Sequence, residues 1–225
     1  MCILNSGKRS IASALLILML GACGGDSSSS SAAVLPNSAA SNRASADAEK
    51  WNGSLEQLLT PERAGRSTGR AAAADQVERD GRALSYRWDS ARTRTLEISG
   101  FSMEVPVPDE VELGRFSAMS LQTFQAAYRT PTQEELAQAR EAVRKRMEEA
   151  GVSAEVGGAM FEVAAGGAQY AVVEDLGDAA AWNPADNNLA VLIDGLKFEL
   201  KLDVGEPTRN REGAISLARE ILTAL

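Results

Sequence analysis

The clearest pattern along the chain is an alternation near its C-terminus. Leu189, Val191 and Ile193 occupy every second position and lead into Asp194-Gly195. Leu196, Phe198, Leu200, Leu202 and Val204 then alternate with Lys197, Glu199, Lys201 and Asp203. Period-two apolar placement on both sides of an Asp-Gly pair predicts a hairpin with a two-residue type I′ turn. The pairing would set Ile193 opposite Leu196, Val191 opposite Phe198 and Leu189 opposite Leu200. One face is apolar and the other carries alternating charge, which suits an antiparallel sheet covered on one side.

An earlier stretch has the same grammar. Leu96 and Ile98 precede Ser99-Gly100, and Phe101, Met103, Val105 and Val107 follow at every second position. A two-residue turn there sets Ile98 opposite Phe101 and Leu96 opposite Met103. Pro106 and Pro108 lack amide hydrogens, so this strand is expected to end at an edge. The two hairpins also align with each other. Trp88 and Trp182 each precede an alanine by three residues, and Ile98 to Val105 lines up with Ile193 to Leu200. An internal duplication would produce this, and so would the shared grammar of hairpins.

Helical spacing accounts for much of the rest. Thr132 with Glu135 forms a capping box, Leu136, Ala139, Val143, Met147 and Ala150 mark an apolar stripe, and Gly151 ends the helix. Glu141 and Lys145 stand at i,i+4, and the basic run Arg140, Arg144, Lys145, Arg146 reads as a solvated face beside Glu148 and Glu149. A last helix, roughly Asn210 to Ala224, gathers Ala214, Ile215, Ala218, Ile221, Leu222 and Leu225 on one side for packing against the sheet. Ser54 with Gln57 predicts a short helix start; residues 63–75 read as a loop followed by an alanine-rich helix. Tyr170, Val172 and Val173 suggest a short strand, whereas Val152 to Gly167 has no clear period. The class is therefore α+β: an antiparallel sheet of two similar hairpins with helices on one face, in a single domain over residues 51–225.

The chain upstream has a different character. Lys8 and Arg9 precede the apolar run Ile11 to Leu20, and Gly21-Ala22 close it, which is the layout of an export leader over residues 1–22. Ten apolar residues are too few for a spanning helix, which needs about 20. Residues 24–50 are rich in Ser, Ala and Asn with no sustained apolar period, so they read as a disordered tether of roughly 30 Å r.m.s. span. Leu20-Gly21-Ala22-Cys23 resembles the lipobox of bacterial lipoproteins. That resemblance implies cleavage between Ala22 and Cys23 and acylation of Cys23, which begins the tethered segment 23–50. Gly24 stands where an aspartate usually retains such proteins in the inner membrane. In an organism with two membranes the resemblance thus implies the periplasmic face of the outer one.

Composition narrows the chemistry. The chain has 23 basic and 31 acidic side chains, a net charge of −8; loss of residues 1–22, which hold Lys8, Arg9 and no acid, makes it −10. Such a surface repels nucleic acid and anionic headgroups, so any membrane link is expected through acyl chains, each buried methylene contributing about 0.8 kcal/mol. With Cys2 removed and Cys23 acylated, no thiol is left for a disulfide. The chain contains no histidine, which excludes histidine-ligated zinc and haem and every histidine-based triad.

The remaining chemical motifs have plain explanations. Gly65-Arg66-Ser67-Thr68-Gly69 matches G-x-S-x-G, but no strand-like run precedes Ser67 and no histidine exists to take its proton. Glu174, Asp175, Asp178 and Asp186 surround Trp182, and Asp186-Asn187-Asn188 lacks the alternating ligands of a calcium loop, so turn chemistry explains them. No catalytic, cofactor or metal residue is assigned. The segment from Leu176-Gly177-Asp178-Ala179-Ala180 through Trp182 to the final helix resembles the C-terminal part of bacterial lipoproteins of uncharacterised role, some similar to the PsbP-like fold. The expectation is a lipid-anchored envelope domain that binds an envelope protein rather than catalyses. The alternatives are a carrier holding a small hydrophobic ligand between sheet and helix, and, with less support, a hydrolase.

Overall fold

The computed structural model describes residues 38–81, 83–98, 101–151, 158, 165, 167 and 169–225. The leader with Ala22 and Cys23, the Ser99-Gly100 turn and most of 152–168 lie outside the described residues. The chain falls into two compact units, one comprising Val34–Arg129 with Tyr170–Leu225, the other taking in Thr130–Gln169.

The larger unit is α+β. Three helices come first, α1 (Ser38–Asn52), α2 (Leu55–Leu58) and α3 (Pro61–Thr68). Six strands follow: β1 (Gln76–Asp80), β2 (Ala83–Trp88), β3 (Thr93–Ile98), β4 (Phe101–Pro106), β5 (Asp109–Gly114) and β6 (Ser117–Ala118). After α4 (Leu121–Ala127), and beyond the other unit, come β7 (Ala171–Val172), β8 (Ala179–Asn183), β9 (Asn188–Ile193), β10 (Leu196–Asp203) and α6 (Pro207–Leu222). The main sheet runs β1-β2-β5-β10-β9-β8-β7, every pair antiparallel, with β6 also on β10.

The C-terminal hairpin forms in the expected register: Ile193 faces Leu196, Val191 faces Phe198 and Leu189 faces Leu200. Asp194 (φ 50°) and Gly195 (φ 76°) supply the two left-handed residues of the turn. Its apolar face joins Leu84, Tyr86 and Trp88 of β2, Val111 and Leu113 of β5 and Trp182 of β8 in one core. Ala214, Leu217, Ala218 and Ile221 of α6 close that core, together with Trp51, Leu55, Leu58 and Ala64 of the first three helices.

The N-terminal part differs from the sequence expectation. Residues 38–50 belong to α1 instead of a tether, because Ala44, Ala48 and Trp51 stand at i, i+4 and i+7 and are all buried. Asn52 fastens the end of that helix: its Oδ1 accepts from the Phe116 amide at 2.8 Å and its Nδ2 donates to the Phe116 carbonyl at 3.0 Å. The Ser54 capping box does not form, since the Ser54 hydroxyl donates to the Lys50 carbonyl at 3.0 Å, although a helix does begin at Leu55. Residues 61–68 are helical, with Thr60 capping the Arg63 amide and Pro61 in the first turn; no helix follows among residues 69–75.

The first hairpin pairs as read, Ile98 with Phe101 and Leu96 with Met103, but β3 and β4 form their own two-stranded sheet. Trp88 pairs with Asp109 and Thr93 with Pro106, so four residues on one side face two on the other. Pro108 cannot donate to the ladder, and pairing breaks there. The strands after the two tryptophans also differ: β2 runs onward into β3, whereas β8 turns back through Asn187 (φ 52°) into β9. The duplication suggested by the alignment thus has no counterpart in the strand order.

The second unit is described mainly by α5 (Gln133–Glu149). Its capping box is complete, Glu135 accepting from the Thr132 amide at 2.8 Å and Thr132 from the Glu135 amide at 3.2 Å. Leu136, Ala139, Val143 and Met147 are half-buried. Glu141 pairs with Arg144, at 2.6 Å, and not in an ion pair with Lys145, because the i,i+3 guanidinium reaches both carboxylate oxygens.

Candidate functional site

Several residues singled out in the sequence have structural roles. Ser67 lies inside α3 and its hydroxyl donates to the Ala64 carbonyl at 2.9 Å, so it is bonded back to its own helix and is not on a strand-to-helix elbow. Asp178 accepts from the Asp194 amide at 2.6 Å and so pins the β9–β10 turn. Asp175 (φ 56°) makes a left-handed bend, and Asp186 accepts from Asn183 Nδ2 at 3.2 Å. Among the described residues no three acidic or sulfur side chains converge as a metal cage would require. Cys23, the expected acylation site, and Ala22, at the expected cut, lie outside the described residues. No described helix is long and apolar enough to cross a membrane.

On the sheet face turned away from the main core, Tyr128 covers a charged pair. Its hydroxyl donates to Glu199 Oε1 at 2.5 Å, and Lys197 Nζ lies 3.1 Å from the same oxygen. Burial works against the Glu199 carboxylate, yet Lys197 and the Tyr128 hydroxyl hold its pKa below the usual carboxylate range. Burial, then Glu199 itself, pushes the Tyr128 phenol upward. A phenol so held is a fixed donor, not a proton acceptor at neutral pH. Toward β2 the same face carries Glu110, bonded by Arg87 Nε at 2.6 Å and Lys201 Nζ at 2.7 Å. Burial raises the Glu110 pKa, but Lys201 and Arg87 outweigh it and the net direction is down. Beside it, burial followed by Glu110 repulsion raises the Glu112 pKa.

Two features remain once these are set aside. The first is the β3–β4 arm. Alternation puts Leu96, Phe101, Met103 and Val105 on one of its faces and Thr95, Glu97, Ser102 and Glu104 on the other. Phe101 is 80% exposed and Met103 54%, while Leu96 and Val105 are half-buried. The second is a cleft of about 510 Å³ where α3 ends, β2 leaves the sheet and β10 gives way to α6.

Charge dominates that cleft. Asp109, only 3% exposed, accepts from Arg70 Nε at 2.7 Å through one oxygen and from Arg92 Nε at 2.9 Å through the other. Arg70 Nη2 also contacts the first oxygen closely. Arg92 donates further to Asp203 Oδ1 at 2.8 Å, the Pro108 carbonyl at 2.6 Å and the Asp203 carbonyl at 3.0 Å. Arg209 makes one long bond, to the Thr68 carbonyl at 3.4 Å, and has no ion pair among the described residues. Gly69 makes the arrangement possible. Its φ of 69° ends α3, and a Cβ on it would come within 2.7 Å of Arg209 Nη2. None of this follows from a local motif, since Arg70, Arg92, Asp109 and Arg209 are dispersed along the chain. No family model, curated protein or solved structure matches this chain.

Proposed function

We propose that this chain is a lipid-anchored, extracytoplasmic binding domain of the cell envelope, attached through acyl groups on Cys23, and that it engages a protein partner by the β3–β4 arm. The observation that carries the binding role is the exposed apolar face of that arm, with Phe101 80% and Met103 54% open to water. Burying one such side chain is worth about 1.5–3 kcal/mol, an incentive to association that a monomer leaves unused. The opposite face bears Glu97 and Glu104, so the matching partner is a protein with an apolar groove and a basic rim. The basic leader, its short apolar run and the lipobox-like Leu20-Gly21-Ala22-Cys23 support the anchoring. Ser67 is bonded to its own helix, and the buried Asp109 and Glu110 are paired with Arg or Lys.

A photo-crosslinking residue at position 101 of the native chain tests the binding role. One envelope protein should be captured, and Met103→Asp should abolish its capture; recovery of abundant bystanders alone, unaffected by that substitution, would end the proposal. The anchor is tested by intact mass, which should show an acylated N-terminal Cys23; a free thiol or a retained leader would refute it.

A further inference from the structure

The cleft of Arg70, Arg92 and Arg209 carries an inference independent of the arm. Its guanidinium groups do not share one role. Arg92 is a structural tie, with donors directed at Asp109, Asp203 and the Pro108 carbonyl. Arg70 gives only one edge to Asp109, and Arg209 gives one weak bond to Thr68. Both therefore keep N–H donors without a protein acceptor among the described residues. Three guanidinium groups against the carboxylates of Asp109 and Asp203 leave a local excess of one positive charge, in a chain whose net charge is −8. Arg209 is held against the α-carbon of Gly69, and Gly69, Arg70 and Arg209 line the same cleft.

α6 starts at Pro207, so Arg209 belongs to its first turn. A volume of about 510 Å³ is in the range of small-molecule sites. Planar, fixed donors suit bidentate recognition of a phosphate or carboxylate group. We propose that this cleft binds a small soluble molecule by its oxyanion, a phosphate or carboxylate group held between Arg70 and Arg209. Asp109 does not repel it, because its charge is already taken up by two guanidinium groups.

The test is an NMR titration of the full chain, following the Gly69 amide, with inorganic phosphate and succinate as separate probes and sodium chloride at equal ionic strength as control. A saturable shift with either probe in the range below about 10 mM, absent with chloride, is expected, and the probe that gives it tells phosphate from carboxylate chemistry. Arg209→Gln, at an exposed position with one long bond, should keep the unfolding midpoint and weaken binding by about tenfold or more. Arg209→Lys should lie between the two. No saturable shift with either probe, or equal binding in Arg209→Gln, would overturn the proposal.

Discussion

At the scale of single residues, neighbouring carboxylates on one strand have opposite settings. Glu110 sits between Arg87 and Lys201, which hold its pKa down against the effect of burial. Glu112, two residues on, is half-buried near Glu110 without an ion pair of its own among the described residues, and its pKa is up. The signs differ accordingly. A depressed carboxyl stabilises the fold above its unfolded value near 4.3 and loses that contribution as pH falls through the folded pKa. A raised one costs stability as pH climbs through the unfolded value toward the folded one. Glu112→Gln should therefore stabilise the protein by about 0.5–1 kcal/mol at pH 7 in urea unfolding, and the gain should vanish in acid below about pH 4. Glu110→Gln should do the reverse, losing about 2–4 kcal/mol at pH 7 because two cations are left without their buried partner. The individual residues were unevenly legible. Asp194-Gly195 announced its turn because the required backbone is local to two residues. The Arg–Asp cleft did not, because Gly69, β5 and the start of α6 bring its members together only in the folded chain.

Among elements, α1 and the β3–β4 arm depart furthest from the sequence pattern. A composition of Ser, Ala and Asn hides α1, yet its three buried positions, Ala44, Ala48 and Trp51, keep helical spacing. Small side chains bury little area each, so the stripe is weak to a reader looking for Leu or Ile, and Asn52 does much of the fastening. A chain starting at Trp51 should lose about 2–4 kcal/mol of stability against one starting at Ser38, read as a lower midpoint in urea. An unchanged midpoint would show that α1 is not part of the folded unit. β5 was equally hidden: Val111 and Leu113 are its only large apolar residues, directly after two prolines, although it lies between β2 and β10. For the arm, alternation revealed its internal register, because pairing across a short turn is local. It could not reveal that the arm stands apart from the main sheet, which depends on how β2 meets β5. Since those strands pair directly, replacing Thr93–Pro106 by a two-residue Asn-Gly turn should shift the thermal midpoint by no more than about 4 °C. The same change, which removes position 101 itself, should abolish co-purification of the partner captured through that position.

At the scale of the whole sheet, one face carries the main core, and the other carries charged pairs beside a second apolar cluster. There Phe124 of α4 covers Ala181, Ala190 and Leu192, so helices lie on both faces and not on one as expected. Inward positions of β2, β5, β8, β9 and β10 meet α1, α2, α3 and α6, and Phe116 against Phe198 (ring centroids 5.2 Å apart) fills the layer between. Charge follows another logic, with an acidic chain that nevertheless gathers arginines at one end of the sheet. Taking residues 38–52 into the fold also changes what an acylated Cys23 could do. With that anchor, fourteen residues, 24–37, would stand between the lipid and α1, and even drawn out at about 3.5 Å each they would allow a working radius of no more than about 50 Å. Twenty-seven would have allowed nearly twice that distance. On the proposed anchoring, a partner that grips the arm would therefore be met in the bilayer's own neighbourhood, since so short a segment gives the body little reach beyond it.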